Sequence, residues 1–203
     1  MSEIPMLHPV SKDTMDHYAL NEGVLAINVD FKSITDAAIF VEYIRANPDK
    51  ILGATTGGTT IAENRETWEP ERNGKRNPVK GEQYFAGARP SIKATLIELT
   101  AANTKLASGA ADIEDEGTTY VKVNPRAEFK ESDYASNAVW FTNFGKKGII
   151  MTILDNALCT KGINWSIDDK KVATSEIELI GHADSVLFDD SLPIHYGVLT
   201  NAA

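Results

Sequence analysis

Residues 52–100 read LGATTGGTTIAENRETWEPERNGKRNPVKGEQYFAGARPSIKATLIELT. A Gly-rich lead-in carrying Gly53, Gly57 and Gly58 passes through a polar, strand-like run to Trp68. A charged Pro/Gly/Asn loop, EPERNGKRNPVKG, follows, and the chain returns through a strand that places Ile92, Ala94 and Leu96 on one face. Structureless loops longer than about a dozen residues usually carry a function. Two paired strands joined by a loop of this length predict a hairpin that projects beyond the body of the domain.

Moving outward, Leu25, Ile27 and Val29 alternate with Ala26, Asn28 and Asp30, the period-2 pattern of a strand. Ser33 or Thr35 can cap a helix over 36–46 that carries Ala37, Ala38, Phe40, Val41 and Ile44 and stops at Asn47-Pro48. Beyond the long hairpin, Thr100 caps a short helix running through Leu106 and ending at Gly109. Residues 112–117 form an acidic loop before a strand at 119–123. Three further stretches, 138–144, 149–154 and 172–180, have strand composition, and Gly145-Lys146-Lys147-Gly148 is a natural tight turn. After Ile180 the periodicity is lost.

The expected fold is mainly β. It is a β-sandwich or partial barrel with one or two short flanking α-helices and a long projecting hairpin loop. One domain spans 1–203, with an N-terminal arm at 1–20 and a C-terminal arm at 182–203.

Composition narrows the function. Hydrophobic residues make up 42% of the chain and charged residues 24%, ordinary values for a folded domain. Twenty Lys and Arg stand against 29 Asp and Glu, a net charge of −9. DNA presents about one phosphate per 1.7 Å of axis, so a chain of this charge repels it on average. The start, MSEIPMLHPVSKD, has no basic segment followed by an apolar one, and no apolar run reaches a membrane-spanning length. A soluble product of the cytoplasm is expected. Cys159 is the only cysteine, which excludes an intrachain disulfide. The sequon Asn164-Trp165-Ser166 lacks a secretory context.

The chemical motifs do not assemble into a catalytic or metal centre. His8, His17, His182 and His195 form no i,i+4 pair, and His182-Ala183-Asp184 reads as a turn before it reads as a ligand pair. The run from Asp112 resembles the start of a calcium loop, but its twelfth position is Val123 where a bidentate Glu is needed. The glycines at 53, 57 and 58 lack the Gly-Lys-Ser/Thr of a phosphate cradle, and backbone freedom at a bulge accounts for them. No serine elbow is present and Cys159 has no neighbouring base. The expectation is a protein that is not an enzyme and uses no cofactor or metal.

Arg72, Lys75, Arg76 and Lys80 form a basic cluster in the long loop of an acidic chain. In a monomer this is a solvated turn. In an assembly it could meet acidic residues of another copy, such as those at 112–116, and set register. The expected assembly contacts are Trp68, Glu71, Arg72, Asn73, Gly74, Lys75, Arg76 and Lys80.

Several motifs in sequence order resemble the major tail, or tail tube, proteins of long-tailed bacteriophages and prophages. They are Leu52-Gly53-Ala54-Thr55 with Gly57-Gly58-Thr59, Pro70-Glu71 leading to Asn73-Gly74, and Pro78-Val79-Lys80-Gly81. They continue with Leu96-Ile97-Glu98-Leu99-Thr100 before a helix holding Asn103 and Leu106, Asn156-Ala157-Leu158, and Ile180-Gly181-His182. The resemblance spans about residues 50–195, and the helix at 36–46 is longer than the family pattern. It implies a β-sandwich flanked by a helix, with six copies joining sheets edge to edge in a ring. Rings would stack into a hollow tube that carries DNA to the host without adhering to it. The partners implied are the chain itself, a tape-measure protein and terminators, with no membrane, and the implied location is the virion tail, made in the bacterial cytoplasm. A contractile-tail or bacteriocin tube is an alternative within that reading. A carbohydrate-binding sandwich with Trp68, Trp140 or Trp165 as stacking platforms is the alternative outside it.

Overall fold

The structure is a computed structural model that describes residues 19–71, 73–74, 77–115, 120–144, 148–184 and 191–201. Twelve strands and two α-helices are found among them. In chain order these are β1 (Ala19–Ile27), α1 (Ala37–Ala46), β2 (Thr55–Ala62), β3 (Arg65–Trp68), β4 (Tyr84–Ala88), β5 (Ser91–Leu96), α2 (Ala101–Ser108), β6 (Ala111–Asp115), β7 (Val121–Pro125), β8 (Ala135–Phe144), β9 (Gly148–Cys159), β10 (Asn164–Ser166), β11 (Thr174–Ile180) and β12 (Ile194–Thr200).

Eight strands form the body, along the path β1-β8-β9-β11-β5-β2, with β12 joined to β9 and β10 to β11. The sheets are open and no barrel closes, so the fold is mainly β and sandwich-like. Strand β9 belongs to both layers. Its first seven residues pair with β12 and run beside β8, whereas Leu158 and Cys159 pair with Ile180 and Leu179 of β11. At Asn156 (φ 43°) the strict alternation changes, so Leu154, Ala157 and Cys159 all line one core.

The interior has two parts. Between the layers lie Leu25, Ile92, Ala94, Leu96, Leu154, Ile177 and Leu179, all at most 2% exposed. On the far side of the β1-β8-β9-β12 layer, Ala26, Val139, Ile149 and Met151 meet Ala37, Phe40 and Ile44 of α1. Successive residues of β1 and β8 therefore feed opposite cores, which only a layer covered on both faces permits. The Phe40 ring meets Phe141 edge-on at 4.8 Å.

Helix α1 begins at Asp36, whose Oδ1 accepts from the Ile39 N–H at 2.9 Å, so the cap falls one residue beyond Thr35. Helix α2 has the expected ends: Thr100 Oγ1 accepts from Asn103 N at 3.1 Å and Gly109 closes the helix at φ 75°. A Cβ at Gly109 would lie 1.9 Å from the Cys159 carbonyl oxygen, so both conformation and close packing on β9 require glycine there.

Two expectations are corrected. Residues 112–115 are not a loop but part of β6, which pairs with β7 in a separate two-stranded ribbon. An exposed ribbon needs no apolar face, and its cross-strand partners Glu114 and Lys122 carry the charge that made it read as a loop. The segment after residue 182 holds β12, paired with β9 from Ile194↔Leu154 to Thr200↔Gly148. The Gly145-Lys146-Lys147 turn lies outside the described residues, although Phe144 and Gly148 do pair across it.

Candidate assembly surface

The long hairpin is built in two segments that meet at a bend. Near the body, β2 pairs with β5, and between Thr56 and Thr60 the register slips where Gly57 (φ 76°) and Gly58 (φ 83°) form a bulge. Beyond Ala62 the chain turns at Asn64, which adopts φ 47° and brackets Arg89: its carbonyl accepts from Arg89 N at 3.2 Å and its Nδ2 donates to the Arg89 carbonyl at 3.1 Å. Past this bracket β3 and β4 form a two-stranded sheet of their own, paired with no other strand.

The root is held by polar side chains that reach across sequence. Asn103 Nδ2 donates to the carbonyls of Leu52 and Glu98, both at 2.9 Å. Glu98 Oε1 accepts from Ala54 N at 2.9 Å, and Ile97 N donates to the Ala54 carbonyl at 3.0 Å. A second bracket joins the layers: His182 N donates to the Asp155 carbonyl at 3.0 Å, Asn156 Nδ2 to the His182 carbonyl at 3.2 Å, and Gly181 N to the Pro90 carbonyl at 3.0 Å. Buried backbone groups left without such partners would each cost about 1–3 kcal/mol.

The projecting part is apolar where water reaches it. Trp68 is 59% exposed, Tyr84 53% and Phe85 57%, and Val79 is exposed in the loop beyond them. Trp68 and Tyr84 are cross-strand partners with ring centroids 5.7 Å apart. Contiguous exposed aromatics on an element outside the core mark an interaction surface. Of the other expected contact residues, Glu71, Asn73, Gly74 and Lys80 are exposed in the loop beside them. Arg72, Lys75 and Arg76 lie outside the described residues.

The acidic stretch at 112–116 is partly engaged within its own subunit. Asp112 lies 2.9 Å from Arg126 and 3.7 Å from Lys130, and Arg126 also forks onto buried Asp133 at 2.6 and 2.8 Å. Burial alone would raise the Asp133 pKa, but the Lys130 N–H and the Arg126 guanidinium outweigh it and hold the carboxyl below its ordinary value. Glu114, 3.9 Å from Lys122, is the more loosely held acid of the pair Asp112 and Glu114.

The body's first layer offers two further surfaces. Its outer strands are β1 and β12, and three successive antiparallel pairings make them run in opposite directions. On β12, Tyr196 and Val198 are exposed on the same face as buried Ile194. A cleft of about 990 Å³ lies beside them, lined by Glu63, Arg65, Phe85, Ala88, Leu192 and Tyr196 among others. Sequence reasoning found the hairpin but missed β12; the alternation Ile194, Tyr196, Val198 was the available signal.

The tryptophans do not form one platform. Trp140 packs against the inter-layer core, while Trp68 and Trp165 are exposed on different sheets. His182 turns inward, its Nδ1 3.1 Å from the Asn156 carbonyl and its ring edge-on to Tyr134. Among the described residues, no group of three or more His, Cys, Asp or Glu is placed to hold a metal ion, and no helix is long and apolar enough to cross a membrane.

No protein-family model matches the sequence, and no curated protein matches it significantly. Two solved structures are similar in fold. One is from the sheath-tube complex of an extracellular contractile injection system, PVC, in its extended state, with 8% identity, a TM-score of 0.46, and coverage of 94% of this chain and 99% of that one. The other is from the tube-terminating cap of the anti-feeding prophage, with 11% identity, a TM-score of 0.43, and coverage of 97% and 96%.

Proposed function

We propose that this chain is the subunit of a phage-tail-like tube, a structural protein that assembles with copies of itself into stacked rings. The observation that carries the reading is the β3–β4 hairpin. It projects from the body, contributes nothing to either core, and exposes Trp68, Tyr84 and Phe85 together. A free domain gains nothing from such an element, whereas a neighbouring copy would cover it.

The sheet edges support the same reading. Strands β1 and β12 run antiparallel at opposite sides of one layer, so β12 of one copy can pair with β1 of the next without reversing either. That is a head-to-tail contact, which closes into a ring when the rotation per copy is right. Closure would also cover the exposed edges that otherwise template uncontrolled pairing. In the resemblance noted from the sequence, the ring has six copies and the stacked tube conducts DNA into the host. A net charge of −9 suits such a wall, because it repels phosphates over a screening length of roughly 8 Å instead of binding them. The hairpin, with its basic loop residues, would stack ring on ring or clasp the adjacent subunit, and carboxylates such as Glu114 would receive the basic side chains. A tape-measure protein within the tube and terminators at its end complete the partner set.

Sedimentation and negative-stain microscopy of the concentrated protein, alone and co-expressed with neighbouring tail genes, test this reading. Rings or tubes are expected. A protein that stays monomeric with every tail partner present would rule it out.

A further inference from the structure

The hairpin's pose relative to the body rests on little. Its two strands pair only with each other, and the bend at Asn64 and Arg89 joins them to β2 and β5 through short connections at 63–64 and 89–90. One side-chain bridge reaches from this bend to the other layer. Glu63 accepts a hydrogen bond from the hydroxyl of Tyr196, which stands on the outer strand β12, and its carboxylate also holds Arg65 of β3 at 2.5 Å. Glu63, Arg65 and Tyr196 share the cleft that separates hairpin and body, with Phe85 and Ala88 of β4 on the hairpin side and Leu192 on the other.

We propose that Glu63 and Tyr196 form a latch that fixes the angle of the β3–β4 hairpin against the β12 edge. Asn64 is the hinge. Its left-handed backbone and its two bonds to Arg89 keep the strands paired at the bend while leaving the direction of the outer segment to the latch. Arg65 completes the device by orienting the Glu63 carboxylate, so the acceptor faces Tyr196 when the hairpin lies closed over the cleft. Because Tyr196 belongs to an outer strand, anything that pairs with β12 acts on the residue that holds the hairpin. If the tube reading is right, edge joining and hairpin pose are coupled: a neighbour docking on β12 strengthens or breaks the latch and so sets when the hairpin is available. That consequence rests on the tube reading; the latch does not.

The test uses the full chain carrying spin labels at Glu66→Cys on β3 and Ala38→Cys on α1, both exposed positions, with Cys159 buried and out of reach of the reagent. Pulsed dipolar spectroscopy reads the distance between them. The native latch is expected to give one narrow distribution. Tyr196→Phe, which removes only the hydroxyl, is expected to broaden it at least twofold or shift its maximum, with no change in far-UV circular dichroism. Glu63→Gln is expected to broaden it less, since its amide oxygen still accepts from Tyr196 while Arg65 is released. A distribution unchanged in Tyr196→Phe would overturn the latch. The same samples imaged for rings separate the two ideas: absence of rings in every variant, with the broadening present, rejects the tube reading and keeps the latch.

Discussion

The β1-β8-β9-β12 layer and the β3–β4 hairpin use the same kinds of residue for opposite ends. In the layer, aromatic and branched side chains go to two cores at once: Leu25 and Ala138 to one side, Ala26 and Val139 to the other, with Phe40 of α1 sealing the second. In the hairpin, Trp68, Tyr84 and Phe85 face water and meet only each other or the cleft. Burying a large apolar side chain stabilises by about 1.5–3 kcal/mol, and the hairpin forgoes that gain in the free chain. Stability is concentrated in the layer, and recognition in what extends from it.

Substitutions should separate the two regions by size of effect. The largest belongs to the layer's sealed face: Phe40→Ala leaves a cavity where the ring met Phe141 and is expected to cost about 4 kcal/mol in denaturant unfolding. A change under 1 kcal/mol would show that the α1 side of the layer is not a core. Next is the Arg126–Asp133 fork beneath the β6–β7 ribbon, where Asp133→Ala strands a mostly buried guanidinium at a cost of roughly 3 kcal/mol. This contribution has a pH signature. The Asp133 carboxyl is held below its unfolded value, so the unfolded chain binds the extra proton first, and the stabilisation is present above about pH 4 and is lost as pH falls through the depressed folded pKa. Acid titration of unfolding free energy should show a shallower decline in Asp133→Ala than in the native chain; parallel curves would contradict the assignment.

Smaller effects follow. Thr100→Ala removes the cap of α2 and is expected to cost about 1 kcal/mol. Trp68→Ala, in the hairpin, is expected to change stability by less than about 1 kcal/mol, the scale of its cross-strand pairing with Tyr84. The same substitution should abolish or strongly weaken self-association, measured by sedimentation. A large loss of stability there would place the hairpin with the core and erase the contrast.

Much of this contrast was legible in the sequence, for physical reasons that differ by element. The strands of the layer show because burial on at least one face enforces period 2, as at Leu25, Ile27 and Val29. Helix α2 shows because its ends need particular residues, Thr100 at the cap and Gly109 at φ 75°. The motif residues that carried the family resemblance over 52–54, 96–103, 156–158 and 180–182 include those that brace the hairpin root and tie the layers: Ala54, Glu98 and Asn103 in one bracket, Asn156, Gly181 and His182 in the other. The β6 ribbon was hidden because both its faces meet water, so charge replaced alternation. Strand β12 was hidden because Gly197 and His195 interrupt a short alternation, half of it exposed. The cleft and the Glu63–Tyr196 bridge join residues 133 positions apart, a distance that no local pattern encodes.

The central claim is that the hairpin serves contact between copies and not the fold of one. Deleting residues 72–76 and measuring both the thermal unfolding midpoint and assembly by electron microscopy tests it most directly. The account predicts an unfolding midpoint unchanged within about 2 °C, less than the roughly 2–4 °C that 1 kcal/mol moves a domain of this size, together with loss of the rings or tubes formed by the intact chain. A deletion that unfolds the domain, or one that assembles as the intact chain does, would contradict it.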